Sequence, residues 1–179
     1  PAAFGSPDEV PREDMTAYGL VIDGVHYVGG CDTRAGPYPF CDVLDLPSYS
    51  LAKSLFAGLG SLALAREFPG VLDERIADYV PACKAAGGWN DVRFRDALDM
   101  ATGHFESVRY DEDEKSPAML PFFIAEDHLT KIDFACRHFP RRAAPGTQWV
   151  YHTIDTYVLG TALEAFVKQK LGPGRDFYH

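Results

Sequence analysis

The sequence is short of three things, and each shortage narrows what the chain can be. No apolar run approaches the ~20 residues that a membrane-crossing helix needs. The most apolar stretch, residues 51–65, is shorter and carries Lys53, Ser54 and Ser61, so it reads as a core helix. Positive charge is scarce: 17 Lys and Arg face 26 Asp and Glu, for a net charge of -9. That balance argues against nucleic acid as a partner, because phosphates need a cationic face. Of the four cysteines, Cys31, Cys41, Cys83 and Cys136, no pair has zinc-finger spacing, so no metal site is expected. No signal peptide is visible, and the chain does not open with methionine.

What is present is ordinary globular material. A length of 179 residues, 46% of them hydrophobic, fits one domain or most of one, with a sizeable core. Four cysteines permit two disulfides in three pairings; Cys31 and Cys41 flank a Gly/Pro-rich loop that a bridge would close, and the alternative is four buried thiols. The one basic cluster, Arg137-His138 with Arg141-Arg142, reads as a solvated loop.

The chain opens with a polar lead-in over residues 1–17. Asp23-Gly24 between the apolar runs 18–22 and 25–28 predicts a hairpin. Residues 32–40 read as a loop and 42–46 as a short strand. From residue 50 the pattern is helical. Leu51, Leu55, Leu59 and Leu62 share one side of a first helix, and small or apolar residues fill much of the rest, which predicts burial nearly all round. Further helices are expected over about 73–79, stopped by Pro81; over 94–100, ending at Gly103; over 132–139; and from near Thr153 to Gly172-Pro173-Gly174. Asp111 to Glu114 reads as a solvated acidic loop, and His104, His128 and His138 as surface residues. The fold class is α+β: strands over 18–46, then a mainly helical region over 47–179. Two or three short strands seldom bury a face by themselves, so the sheet is expected to be completed by more chain.

The candidate chemistry begins at Ser50-Leu51-Ala52-Lys53. A bare Ser-x-x-Lys pattern occurs by chance about once in a chain of this length, so its context must support it. At the head of a helix, the Ser50 hydroxyl sits at the positive end of the dipole, which suits an attacking alkoxide and the oxyanion that follows. Lys53 lies one turn on, on the same face. An amine held in its neutral form by burial can activate a serine. Leaving-group protonation and water attack need a second acid/base group, and Tyr151, just before the last helix, is the candidate. His152 with Asp155 offers a triad reading, against which stands a local cap interaction.

These landmarks together resemble the serine β-lactamase and penicillin-binding protein superfamily. Pro47-Ser48-Tyr49-Ser50-Leu51-Ala52-Lys53-Ser54 resembles its nucleophile motif. Ala97-Leu98-Asp99-Met100-Ala101-Thr102-Gly103 is similar to its L-L-x-M-x-S-G helix end. Pro145-Gly146-Thr147 followed by Tyr151-His152-Thr153 is similar to its P-G-x-x-(F/W)-x-Y-S-N loop. The resemblance covers roughly residues 18–172 and is nearest to the class C-like branch, which also holds carboxylesterases and D-amino-acid peptidases. It implies Ser50 as the acylated nucleophile, its backbone N–H as half of an oxyanion hole, Lys53 as proton-transfer partner and Tyr151 as general base and acid. Thr153 stands where the family has a substrate-contacting Asn. No Lys-Thr-Gly or His-x-Gly motif follows, so the family's C-terminal strands are expected to be missing. The resemblance further implies no cofactor, a small-molecule ester, amide or β-lactam substrate, and a periplasmic or secreted location. A non-catalytic penicillin-binding or sensory relative is the alternative.

Overall fold

The structure, a computed structural model, describes residues 17–40, 43 and 49–177. It divides into two compact units, Pro1–Pro47 and Ser48–His179. In the first, β1 (Ala17–Ile22) and β2 (Val25–Gly30) pair antiparallel, with Ile22 opposite Val25. Asp23 and Gly24 both have positive φ, 51° and 77°, which is the turn that matches strand twist and the reason Asp-Gly marks a hairpin. The loop expected over 32–40 holds a second, two-residue ladder of β3 (Asp32–Thr33) with β4 (Gly36–Pro37). Thr33 Oγ1 donates to the Gly36 carbonyl across its turn at 2.8 Å. Cys31 is disulfide-bonded. The Cys31–Cys41 pairing considered above involves a residue outside those described, as do the lead-in segment up to residue 16 and most of the expected strand 42–46. Val43 is described, and it donates to the Phe40 carbonyl in a helical turn rather than a strand.

The second unit is helical and is organised around its last helix. α7 (Thr153–Leu171) is 19 residues long and buries Ile154, Val158, Leu159, Ala162, Leu163, Phe166 and Val167. Around it lie α1 (Leu59–Glu67), α2 (Ile76–Tyr79), α3 (Pro81–Ala86), α4 (Phe94–Leu98), α5 (Leu120–Ile124) and α6 (His128–Arg137); α2, α4 and α6 pack directly on it. Phe166 meets Phe68, Tyr79 and Phe94 at ring-centroid distances of 5.4, 5.7 and 6.3 Å. A Cys83–Cys136 disulfide joins α3 to α6, and the buried Trp89 indole donates to the Cys136 carbonyl at 2.9 Å. α6 starts earlier than its apolar pattern indicates because Asp127 caps it, accepting from Thr130 N at 2.8 Å. Pro81 does more than stop a helix: it occupies the first turn of α3, where its missing N–H costs nothing. No helix among the described residues is long and apolar enough to cross a membrane.

Two expectations fail here. The first helix is not buried all round. Its start, Lys53–Gly58, is π-helical; Ala57, Ser61 and Leu64 are buried and Ala65 packs against the core half-buried. Leu51, Leu55, Leu59 and Leu62 are each more than half exposed, because the neighbours within this unit cover one side only. His104 is not a surface residue either: it is buried, with its ring stacked on Trp89 at 4.3 Å and 10°. His138 is half-buried and stacks on Phe134 at 4.2 Å.

Burial, reinforced by the nearby Arg141 charge and opposed by Asp91, holds the His104 imidazole down at about 4. An unfolded histidine titrates near 6.5, so between these values the unfolded chain binds the extra proton. This stability is complete above pH 6.5 and is lost as pH falls to about 4; the whole window is worth about 3 kcal/mol. The buried His152 and half-buried His138 act in the same direction. Urea unfolding at pH 7 and pH 4.5 should therefore show a smaller loss of stability in His104→Phe, which keeps the stack on Trp89, than in the unmodified chain. Equal losses would contradict this account.

Candidate active site

Tyr151 is placed by a run of backbone bonds. Residues 100–105 face residues 140–150 in an irregular antiparallel pairing. Val150 N donates to the Met100 carbonyl at 3.0 Å and Gly146 N to the Ala101 carbonyl at 2.7 Å. Arg142 N and Ala143 N both donate to the Gly103 carbonyl, and Phe105 N donates to the Pro140 carbonyl. This pairing explains why the helix expected to reach Met100 stops at Leu98: Met100 takes positive φ, 50°, and its carbonyl turns outward to Val150. At Gly103, φ is 82° and a Cβ would collide with the Ala143 carbonyl. Glycine lets the two segments close.

Ser50 comes from the other side of the unit. Tyr49, with φ 42°, makes a sharp turn just ahead of it. The Tyr49 carbonyl then accepts from Ala52 N and the Ser50 carbonyl from Lys53 N at 3.0 Å, so Ser50 and Lys53 stand one turn apart. The structure brings Ser50, Lys53 and Tyr151 together. Ser50 Oγ is 2.6 Å from the Tyr151 hydroxyl. Lys53 Nζ donates to Ser50 Oγ at 2.9 Å and to the Tyr151 hydroxyl at 3.1 Å, and lies 5.0 Å from the Tyr151 ring centroid. Two residues 98 and 101 positions from Tyr151 thus converge on one phenol.

The acidic loop is not a solvated one. Asp113 is buried; its carboxylate accepts from Glu106 N at 2.8 Å and Ser107 N at 3.0 Å and meets His152 Nε2 at 3.1 Å. Glu114 accepts from Thr153 N at 2.9 Å and also from the Thr153 hydroxyl. Consecutive carboxylates hold consecutive residues immediately after Tyr151. Thr153, expected to contact substrate, therefore commits its hydroxyl proton to Glu114. Its side chain also lines a cavity of about 690 Å³, walled by Tyr49, Lys53, Phe56 and Tyr157 among others.

Neither reading of His152 with Asp155 holds. The ring is buried and stacked face to face on Phe139 at 4.5 Å. Its Nε2 goes to Asp113, its Nδ1 lies 3.9 Å from Asp155 Oδ1, and it makes no side-chain cap to α7. Burial pushes the His152 imidazole down and the Asp155 carboxyl well up, although the Thr102 hydroxyl donates to Asp155. The basic cluster is structural: Arg141 forms a two-pronged pair with Asp91 and Arg142 pairs with Glu106. His128 is exposed, as expected, and its Nδ1 meets the Tyr157 hydroxyl at 2.9 Å.

Sequence reasoning missed Asp113, Glu114 and Tyr110. Tyr110 and Trp149, parallel within 10° at 6.2 Å, flank Tyr151 at 6.3 and 6.5 Å and are well exposed. The one available signal was a tyrosine beside four consecutive acidic residues. Among the described residues no group of three or more His, Cys, Asp or Glu is arranged to hold a metal ion.

The Beta-lactamase family model matches residues 46–172. That is well over half of the chain, so the chain belongs to the Beta-lactamase family. It is a β-lactamase-like fold of the α+β class, in a family that acts on small β-lactam, ester and amide substrates. No curated protein and no solved structure matches it.

Because Gly103 carries the closest approach between the two paired segments, Gly103→Ala should lower the thermal midpoint by several degrees, consistent with about 1–3 kcal/mol of strain. Hydrogen exchange of the Val150 and Gly146 amides should quicken with it. A variant as stable and as protected as the parent would refute the placement of this contact.

Proposed function

We propose that the chain carries the acylation site of a serine hydrolase of the class C-like branch, cleaving an ester or amide through a covalent acyl-enzyme on Ser50. One observation carries this reading: Ser50 Oγ lies within hydrogen-bond reach of both an amine and a phenol, 2.9 Å from Lys53 Nζ and 2.6 Å from the Tyr151 hydroxyl. In the first step Oγ attacks the substrate carbonyl carbon while its proton passes to the Lys53–Tyr151 pair. The carbonyl oxygen becomes an oxyanion, stabilised by the Ser50 backbone N–H at the start of a helix. The pair returns the proton to the leaving oxygen or nitrogen as its bond to carbon breaks, leaving an ester on Ser50. The Lys53–Tyr151 pair then takes a proton from water as the water oxygen attacks the acyl carbon, and returns it to Ser50 Oγ as the acyl C–O bond breaks, freeing the acid and the Ser50 hydroxyl.

Thr153 separates the substrate classes. Its hydroxyl is engaged by Glu114, so it does not present a free amide in the way the family's Asn does. This favours simple esters and amides over β-lactams. The same feature supports the second reading, a penicillin-binding or sensory relative that acylates without turnover. The exposed leucines of the first helix support a further part of the proposal: strands of the family's sheet beyond those described cover this face. A periplasmic or secreted location accords with the Cys83–Cys136 bridge and the bonded Cys31, since disulfides persist in oxidising compartments.

A fluorophosphonate probe followed by mass spectrometry should locate its adduct on Ser50, and Ser50→Ala should abolish it. Tyr151→Phe and Lys53→Ala should each slow p-nitrophenyl ester hydrolysis by about 10²–10⁴. Adducts elsewhere, or full activity in Lys53→Ala, would overturn the assignment. Steady turnover of esters with none of a chromogenic cephalosporin selects the esterase; a single stoichiometric burst selects the non-turning relative.

A further inference from the structure

We propose that Glu114 is a positioning residue for Tyr151, acting through Thr153 as a cap supplied to α7 from a distant loop. The inference rests on the reading of Tyr151 as the acid/base partner of Ser50. α7 begins at Thr153, and His152, at the cap position, makes no side-chain cap bond. A helix start leaves its first N–H groups without intrahelical acceptors. Here the acceptor is a carboxylate 39 residues away in sequence: Glu114 takes the Thr153 N–H at 2.9 Å and the Thr153 hydroxyl as well. A carboxylate there is also favoured by the helix dipole.

The consequence falls on Tyr151. On its N-terminal side the segment is pinned by Val150 N donating to Met100 O. On its C-terminal side the pins are Glu114 on Thr153 and Asp113 on His152. Tyr151 lies between them, and its hydroxyl must stay within about 3 Å of both Ser50 Oγ and Lys53 Nζ to serve them. The loop bearing Glu114 is itself fixed: Asp113 accepts two of its backbone N–H groups, and Lys115 pairs with Asp111 at 2.6 Å. Among the described residues, both hydrogen bonds of the Glu114 carboxylate to this segment go to Thr153, one to its N–H and one to its hydroxyl, so its effect on the phenol runs through that residue.

The test reads rate and affinity separately. With a fluorophosphonate probe on the intact chain, Glu114→Ala should lower the maximal rate of Ser50 labelling about tenfold or more while the half-saturating probe concentration stays within about twofold, the signature of a misplaced group. Thr153→Ser, which keeps both bonds to Glu114, should label like the parent. Thr153→Val, which loses only the hydroxyl bond, should fall between. Should Glu114→Ala fail to fold by circular dichroism, Thr153→Val against Thr153→Ser decides the matter. A raised half-saturating concentration at unchanged maximal rate, or unchanged labelling in Glu114→Ala and Thr153→Val, overturns the proposal. A second readout needs no chemistry at Ser50. With 3-fluorotyrosine at position 151, the ¹⁹F resonance should move or broaden in Glu114→Ala and Thr153→Val but not in the control Glu126→Ala. If the parent takes no probe at Ser50, the hydrolase reading fails, and the ¹⁹F comparison alone decides whether Glu114 positions Tyr151.

Discussion

Helix α7 has to be covered on nearly every side, and most of the helical unit follows from that requirement. Seven apolar side chains between Ile154 and Val167 are buried along it. At about 1.5–3 kcal/mol for each large apolar side chain removed from water, no arrangement that exposes this helix competes. Elements α2, α4 and α6 therefore lie against it, and the Phe166 cluster ties it to Phe68, Tyr79 and Phe94. Tyr151 stands two residues before this helix begins. Its backbone is thus anchored at the edge of the most deeply buried helix of the unit.

The buried polar groups around Tyr151 are the expensive part of the design. An unpaired carboxylate out of water costs several kcal/mol, so Asp113 is tolerable only because two backbone N–H groups and His152 surround it. Asp155 meets the same problem differently: with Thr102 as its one hydrogen-bond donor among the described residues, burial drives its carboxyl toward the neutral form. His152 is pushed toward neutrality as well. Asp113 and Glu114 both hydrogen-bond to the segment that carries the phenol. Opposite them, Lys53 approaches from the first helix.

The parts of this arrangement that were legible in the sequence are those with local causes. Asp23-Gly24 selects its turn by backbone sterics alone, and α7 announces itself through apolar spacing and Gly172, whose φ is 102°. Ser50 and Lys53 share a face because of helix geometry, and the need for a second acid/base group just before the last helix singled out Tyr151, to which the resemblance added its motif. What was illegible depends on pairings distant in sequence. Nothing near Asp113 or Glu114 reveals that residues 152 and 153 will face them, so a run of acids looked like a solvated loop. His104 looked like a surface residue for the same reason, since its partner Trp89 lies across a turn of chain that only the fold closes. The leucines of the first helix misled in the opposite sense. Apolar character all round specifies that a helix be covered, but the described residues of its unit cover one side of it.

Thr153 shows how a single position can bind fold to chemistry. In the resemblance it occupies the substrate-contacting Asn, yet here its N–H and hydroxyl both terminate on Glu114. Threonine has one hydroxyl proton, and here it goes to Glu114, so only the hydroxyl oxygen's acceptor capacity is left for any other group. An Asn carries two donors and an acceptor on a longer arm and can divide them between loop and ligand. In this chain the side chain and N–H of Thr153 instead tie the start of α7 to Glu114. Large aromatic groups close to the phenol stay exposed, Tyr110 and Trp149 among them. Flat, weakly directional surfaces of this kind bind by area and stacking more than by hydrogen-bond readout.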